Sequence, residues 1–293
     1  MSSGKTLRRV LLWAISLIVV GYGGMLVWFS SHESELLYFP EKTLETTPEA
    51  IGIVYGKATI PSTDSVKLVC WIIPSADTST LWLLYLHGNA GNVAKRGYVE
   101  HYAQLHKLGL NVLAVDYRGY GESSGNPSEQ GLYDDARAGY EYLRSAQQVP
   151  AERIIVYGYS LGSGIAVDLA SKVAAAGLIL EGSYTSISDV GQEHYPYVPV
   201  RLMAGNRFDS GSKIRRAAMP KLFIHARDDK TIPIRFGRSL FDLAPEPRTF
   251  LEVKGGHDNA HNVDAQLFYG GIQLFLIQIR APQDSLTSTV PSR

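Results

Sequence analysis

The residues best placed to do chemistry in this chain are one serine, one histidine and an aspartate between them in sequence. Gly158-Tyr159-Ser160-Leu161-Gly162 fits the pattern G-x-S-x-G. It follows the apolar run IIVY and precedes GIAVDLA, so the serine falls on a strand-to-helix turn, the setting that gives this motif its meaning. The two glycines allow a sharp turn that lifts the Ser160 hydroxyl out at the sheet edge. There a helix amino terminus favours developing negative charge. A serine hydroxyl is a weak nucleophile and needs a base that a third group holds in place. Downstream, KLFIH runs into Ala226-Arg227-Asp228-Asp229-Lys230-Thr231-Ile232-Pro233, and TFLEV runs into Lys254-Gly255-Gly256-His257. A carboxylate past one strand end and an imidazole past the next give the order Ser, Asp, His. Asp228 and Asp229 are both candidates for the acid. His261 rivals His257 as the base, but only His257 follows directly on a strand and glycines. Attack on a carbonyl also requires two N–H donors for the oxyanion, one after the nucleophile and one from an early loop. Leu161 and Asn89 occupy those places, the latter in His87-Gly88-Asn89-Ala90-Gly91-Asn92 directly after LWLLYL. His87 reads as a residue that shapes this loop by hydrogen bonding.

These side chains need a scaffold that brings strand ends together, and the hydrophobic pattern predicts one. Runs at 51–60 and 66–73 are β-rich and flank Pro61-Ser62-Thr63-Asp64, which predicts a hairpin. Continuous apolar runs at 81–86 and 112–115 predict strands buried on both faces. Further strands are predicted at 153–157, 178–180, 221–225 and 249–253. Tyr98, Tyr102, Leu105 and Leu108 recur at helical spacing, as do Leu132, Ala136, Tyr140 and Leu143. Helices are also predicted at 165–173, 236–243 and 263–279. One hairpin followed by alternating strands and helices implies an α/β fold, with a mainly parallel eight-stranded sheet and helices on both faces. In such folds sites lie at the carboxyl ends of the strands. Residues 182–220 interrupt the alternation, carry Tyr184, Tyr195, Tyr197 and Phe208, and read as a small lid-like insertion in a domain spanning 51–280. The polar tail 281–293 reads as disordered.

Composition excludes several classes. Of the 293 residues, 45% are apolar and 19% charged, which is a globular profile. The formal net charge of zero hides Lys5, Arg8 and Arg9 in an acid-free amino terminus, which leaves the remainder mildly acidic and without reason to bind nucleic acid. A single cysteine, Cys70, rules out an intrachain disulfide and Cys-based metal sites. Residues 10–29 carry no charge and are long enough to cross a bilayer as a helix, after residues 1–9 on the basic side. The positive-inside rule places the amino terminus in the cytoplasm and the remainder on the exported side. The alternative is a cleaved signal peptide, against which stands the lack of a small-x-small site after the run. Residues 30–50 read as a linker. The lone cysteine and absent glycosylation sequons favour a bacterial periplasm over a eukaryotic lumen. Oligomeric state is not legible.

No P-loop, H-E-x-x-H or G-x-G-x-x-G pattern is present, so no metal or organic cofactor is expected. Taken together, LLYFP, HGNAGN, DYRGYGESSG, GYSLG, SYTS, RFDS, DDKTIP and GGH make the chain resemble the α/β-hydrolases, most closely the BEM46-like group, which includes the ABHD13 and ABHD17 types and bacterial membrane-anchored relatives. The resemblance covers about residues 36–280. It implies Ser160 as nucleophile, Asp229 as orienter, His257 as base, and backbone donors at Asn89 and Leu161. The chain departs from the family pattern at Ala226 after His225, and in the order of GGHDNAH. Neither departure removes a catalytic atom. The expected activity is hydrolysis of carboxylic esters or thioesters, with a lipid or small acyl ester as substrate. A peptide hydrolase of the serine aminopeptidase kind is the alternative. It would need an acid for the substrate amine, and Glu193, Asp209 and Asp189 are the candidates. A non-catalytic membrane-tethered scaffold is a third reading.

Overall fold

The apolar runs assemble into one eight-stranded sheet. In a computed structural model describing residues 3–75 and 81–280, the strands are β1 (Gly56–Pro61), β2 (Lys67–Ile73), β3 (Trp82–Leu86), β4 (Asn111–Val115), β5 (Ile154–Tyr159), β6 (Gly177–Glu181), β7 (Lys221–Ala226) and β8 (Arg248–Val253). Their spatial order is β8-β7-β6-β5-β3-β4-β2-β1. Strand β2 pairs antiparallel with both β1 and β4, and every other pairing is parallel. β3 is central, with Leu84 opposite Leu113 on one side and Val156 on the other. The expected first strand begins later than position 51. Pro48–Ile51 forms a turn of 3-10 helix closed by Gly52 at φ 78°, which forces the chain to turn before it can extend.

Alternate residues of each strand feed opposite cores, as the two-residue period of an extended chain requires. Leu84 and Leu86 pack with Ala136, Tyr140 and Ile165 on one face, whereas Leu83 and Tyr85 pack with Tyr102, Phe268 and Ile272 on the other. The covering helices are α3 (Arg96–Lys107), α4 (Glu129–Ser145), α5 (Leu161–Ala170), α8 (Ile234–Leu243) and α9 (Ala265–Arg280). Between β6 and β7 the insertion carries α6 (Ile187–His194) and α7 (Val200–Met203), which pack on each other. The Ser186 hydroxyl caps α6 by accepting from Asp189 N at 3.1 Å.

At the amino end, α1 (Ser3–Ser31) is the one helix among the described residues that is long and apolar enough to cross a membrane. Residues 30–50, read as a linker running onto the domain, pack along it. A short helix α2 (Glu33–Leu37) leads into Phe39–Pro40, which pairs in parallel with Ala90–Gly91. Tyr38 is buried, and its hydroxyl donates to Asn206 Oδ1 at 2.8 Å. Asn92 Nδ2 donates to the carbonyls of Glu41 and Thr43, each at 2.9 Å. The cause is the combination of one buried aromatic with asparagines that satisfy an otherwise unpaired backbone. The tail expected at 281–293 lies outside the described residues.

Candidate active site

Ser160 stands where β5 ends and α5 begins. Its backbone is strained at φ 52° and ψ −121°, a region an L-residue occupies only when its surroundings force it there. The glycines on either side make the turn possible by close approach. A Cβ at Gly158 would land on the Gly162 carbonyl, and one at Gly162 on the Leu86 and His87 carbonyls.

Two loops at the carboxyl end of the sheet build a hydrogen-bonded line to this hydroxyl. His257, after β8, holds Nε2 2.8 Å from Ser160 Oγ. Asp229, after β7, places Oδ2 2.7 Å from His257 Nδ1. With the imidazole proton on Nδ1, Ser160 donates to His257 and His257 donates to Asp229. The other Asp229 oxygen accepts from the N–H groups of Thr231 at 2.9 Å and Ile232 at 2.7 Å. That loop is held in turn by the buried His225, whose Nε2 donates to the Ile232 carbonyl at 2.8 Å. Burial lowers the pKa of His225, which keeps the ring neutral and suited to this one bond.

The two aspartates that the sequence left open separate clearly. Asp229 is buried in this line, whereas Asp228 is exposed. His261 is likewise set apart, its ring packed against His101 and Phe268. Burial lowers the His261 pKa. His87 is fully buried, with Nδ1 2.7 Å from the Gly88 carbonyl and its ring against Tyr117, in line with a loop-shaping role.

The oxyanion candidates also face the site. Leu161 occupies the first turn of α5, where an N–H has no intrahelical acceptor. Asn89 sits where β3 runs out, and its carbonyl accepts from Phe39 N and the Tyr120 hydroxyl, each at 2.9 Å. Neither the Asn89 nor the Leu161 N–H takes part in the turn and loop hydrogen bonds among the described residues. Both residues line the same cavity as Ser160.

That cavity has a volume of about 520 Å³, within the range of small-molecule sites. Its walls come from the insertion, through residues such as Ile187, Tyr195 and Met203, and from the chain preceding the sheet, through Phe29, Glu33 and Leu36. The three acids considered for a substrate amine do not line it. Asp189 accepts from Arg201 Nε at 2.6 Å, Asp209 caps a short helix through Ser212 N at 3.0 Å, and Glu193 pairs with Arg235. The acid that does line it is Glu33, whose carboxylate accepts from Gly205 N at 2.9 Å and Asn206 N at 2.8 Å. Sequence reasoning missed Glu33 because it falls in the stretch read as a linker. It also missed Glu181, buried at the end of β6, which accepts from the Tyr157 hydroxyl at 2.6 Å. Burial pushes the Glu181 carboxyl up to about 7. Its only sequence signal is a lone acid ending an apolar strand.

Comparison with known proteins agrees with this architecture. Residues 79–208 match the family described as serine aminopeptidase, S33. The chain is 32% identical over 266 residues to an uncharacterized protein of Mycobacterium tuberculosis, covering 90% of this chain and 94% of that one. It is 34% identical over 228 residues to the alpha/beta hydrolase domain-containing protein aho-3 of Caenorhabditis elegans, covering 76% of this chain and 67% of the relative. It is also 34% identical over 197 residues to the lysophosphatidylserine lipase ABHD12 of Danio rerio. That match covers 61% of this chain but only about half, 51%, of the relative. Among solved structures, the Pyrococcus furiosus esterase Pf2001 superposes with a TM-score of 0.70 at 20% identity, over 83% of this chain and 98% of the esterase, a likeness of fold. The chain belongs to the α/β-hydrolase superfamily and is a hydrolase of the α/β type. The narrower placement with the ABHD13 and ABHD17 types is not carried by these matches.

Proposed function

We propose that this chain is a membrane-anchored serine hydrolase of the BEM46-like group that cleaves carboxylic esters or thioesters through an acyl-enzyme. The observation that carries this reading is the unbroken hydrogen-bonded line Ser160–His257–Asp229, with the serine lining an apolar-walled cavity. In the reaction, His257 Nε2 takes the Ser160 proton as Oγ attacks the substrate carbonyl. Asp229 holds the tautomer that leaves Nε2 free and stabilises the imidazolium that forms. The Asn89 and Leu161 N–H groups receive the oxyanion. His257 then gives its proton to the leaving group, and water, activated by the same imidazole, releases the acid. No step calls for a metal or organic cofactor.

The lipase named among the relatives and the apolar walls of the cavity both favour a lipid or acyl ester. The serine aminopeptidase label of the matching family keeps peptide cleavage as the second reading, but Asp189, Asp209 and Glu193 are each engaged elsewhere. In this reading α1 is a retained anchor, with residues 1–9 in the cytoplasm and the hydrolase domain on the exported side, a bacterial periplasm.

The test is intact-mass analysis of the full-length protein after reaction with a fluorophosphonate, with Ser160→Ala alongside. One adduct, lost in the variant, is the expected result. No adduct on folded protein would favour the scaffold reading.

A further inference from the structure

The helix that anchors the chain also touches the substrate cavity. Along the last third of α1, the positions that lose exposure are Gly23, Leu26 and Phe29, three apart and so on one helical face. That face lies against the insertion. The Phe29 and Tyr195 rings meet edge to face at 4.9 Å, and the Tyr22 hydroxyl donates to the Tyr197 carbonyl at 2.9 Å. Just beyond the helix, Glu33 fastens the loop at Gly205 and Asn206. Phe29 and Ser30 line the same cavity as Ser160.

These contacts fix where the insertion sits along α1. Tyr22 and Phe29 are separated by seven residues, which is about 10 Å of helix. Both belong to the uncharged run at 10–29, so the insertion reaches alongside the part of α1 that is built for hydrocarbon. Two large side chains of the insertion, Tyr197 at 86%, whose carbonyl meets Tyr22, and Leu202 at 83% on α7, are almost fully exposed. A large apolar side chain left uncovered beside a bilayer-spanning helix is accounted for by burial in the same bilayer.

We propose that α1 is a wall of the substrate site as well as an anchor, that the tip of the insertion around Tyr197 and Leu202 dips into the bilayer, and that the substrate is a membrane-borne amphiphilic acyl ester that reaches Ser160 from the membrane between α1 and the insertion. This rests on the serine-hydrolase reading and narrows its substrate class. The reacting carbonyl stays at Ser160, the acyl chain lies along the apolar walls, and the polar head remains at the membrane surface. A short water-soluble ester needs neither the membrane nor the tip.

The experiment uses the full chain in phosphatidylcholine vesicles. It compares wild type with the double variant Tyr197→Asp/Leu202→Asp, neither position lining the cavity. Three rates are read: fluorophosphonate labelling, hydrolysis of p-nitrophenyl acetate from water, and hydrolysis of a vesicle-embedded monoacylglycerol. The expected result is a loss of about tenfold or more on the embedded ester, because carboxylates resist entering the bilayer, with the other two rates within twofold of wild type. Phe29→Trp, which fills the wall, is expected to shift the preferred acyl chain to a shorter one. As a readout independent of turnover, a nitroxide on Leu202→Cys is expected to be more accessible to oxygen than to a water-soluble nickel chelate. An embedded-ester rate that is unchanged, or that falls in step with the soluble-ester rate, would overturn the proposal, as would a water-exposed nitroxide. Wild type that neither labels nor turns over any ester would overturn the hydrolase reading itself and this inference with it.

Discussion

Asp229→Asn tests the assignment most sharply, because the structure dictates how the new side chain must sit. Asp229 Oδ1 accepts from two backbone N–H groups, those of Thr231 and Ile232. An amide has one oxygen, and only the oxygen can accept those two bonds. Turning the NH₂ toward them would leave the buried Ile232 N–H unsatisfied, at about 1–3 kcal/mol, and break the part-buried Thr231 bond as well. The oxygen therefore stays, and the NH₂ takes the Oδ2 place 2.7 Å from His257 Nδ1. A donor there forces the imidazole into the other tautomer, with its proton on Nε2. In that form Nε2 cannot accept the Ser160 proton. The same exchange in a serine protease lowers kcat roughly 10⁴-fold, or about 5 kcal/mol of transition-state stabilisation. The expected outcome is a loss of that order in p-nitrophenyl ester hydrolysis and in the fluorophosphonate labelling rate, with thermal unfolding close to wild type. Asp228→Asn, at an exposed position, is the control and is expected to stay within twofold. The reasoning is refuted if Asp229→Asn keeps more than about a tenth of the wild-type rate on folded protein, or if Asp228→Asn falls as far.

Two further outcomes concern stability. Gly162→Ala places a methyl group on the Leu86 and His87 carbonyls, backbone atoms of a central strand and the loop after it. A loss of about 3 kcal/mol in urea unfolding is expected, since overpacking against backbone finds little relief; a loss under about 1 kcal/mol would contradict it. Glu181 gives a pH dependence. Burial raises its folded-state carboxyl from 4.5 to about 7, so between those values the native chain holds a proton that the unfolded chain has released. Stability then falls as pH rises through this window, by up to about 3 kcal/mol for a shift of this size. Glu181→Gln lacks that slope. Urea midpoints measured from pH 4.5 to 8 should show the wild type losing ground to the variant as pH rises, and parallel curves would refute the assignment.

Local sequence was enough for the elbow, because its requirements are local: two glycines and a serine between an apolar strand and a helix. The order of the strands' apolar runs, one hairpin and then alternation, was enough for a mainly parallel sheet, because chain connectivity leaves few ways to bury such runs. The start of the first strand was not legible, since Gly52 adopts its left-handed turn only in the context of the loop around it. Spacing alone left Asp228 beside Asp229, and it was the family resemblance that pointed to Asp229. Adjacent residues on a loop point in different directions, and only the backbone donors of Thr231 and Ile232 select the one that reaches His257.

The contacts that composition announces least are those of residues 30–50. By composition this stretch is polar and proline-marked, and nothing in its periodicity says that it packs. In the fold Tyr38 is buried, Phe39 N is held by the Asn89 carbonyl, and Glu33 reaches across to Gly205 and Asn206. Such contacts join positions far apart in the chain, so no window of sequence contains both partners. What the sequence determined by itself was the type of sheet and the strand-to-helix turn that carries Ser160. What only the tertiary structure decided was which neighbours stand around those groups: the Thr231 and Ile232 N–H groups on Asp229, the buried Glu181, and the cavity wall built in part by α1. The physical reason is that chemical identity and periodicity are properties of the chain, whereas proximity is created only when distant segments fold against each other.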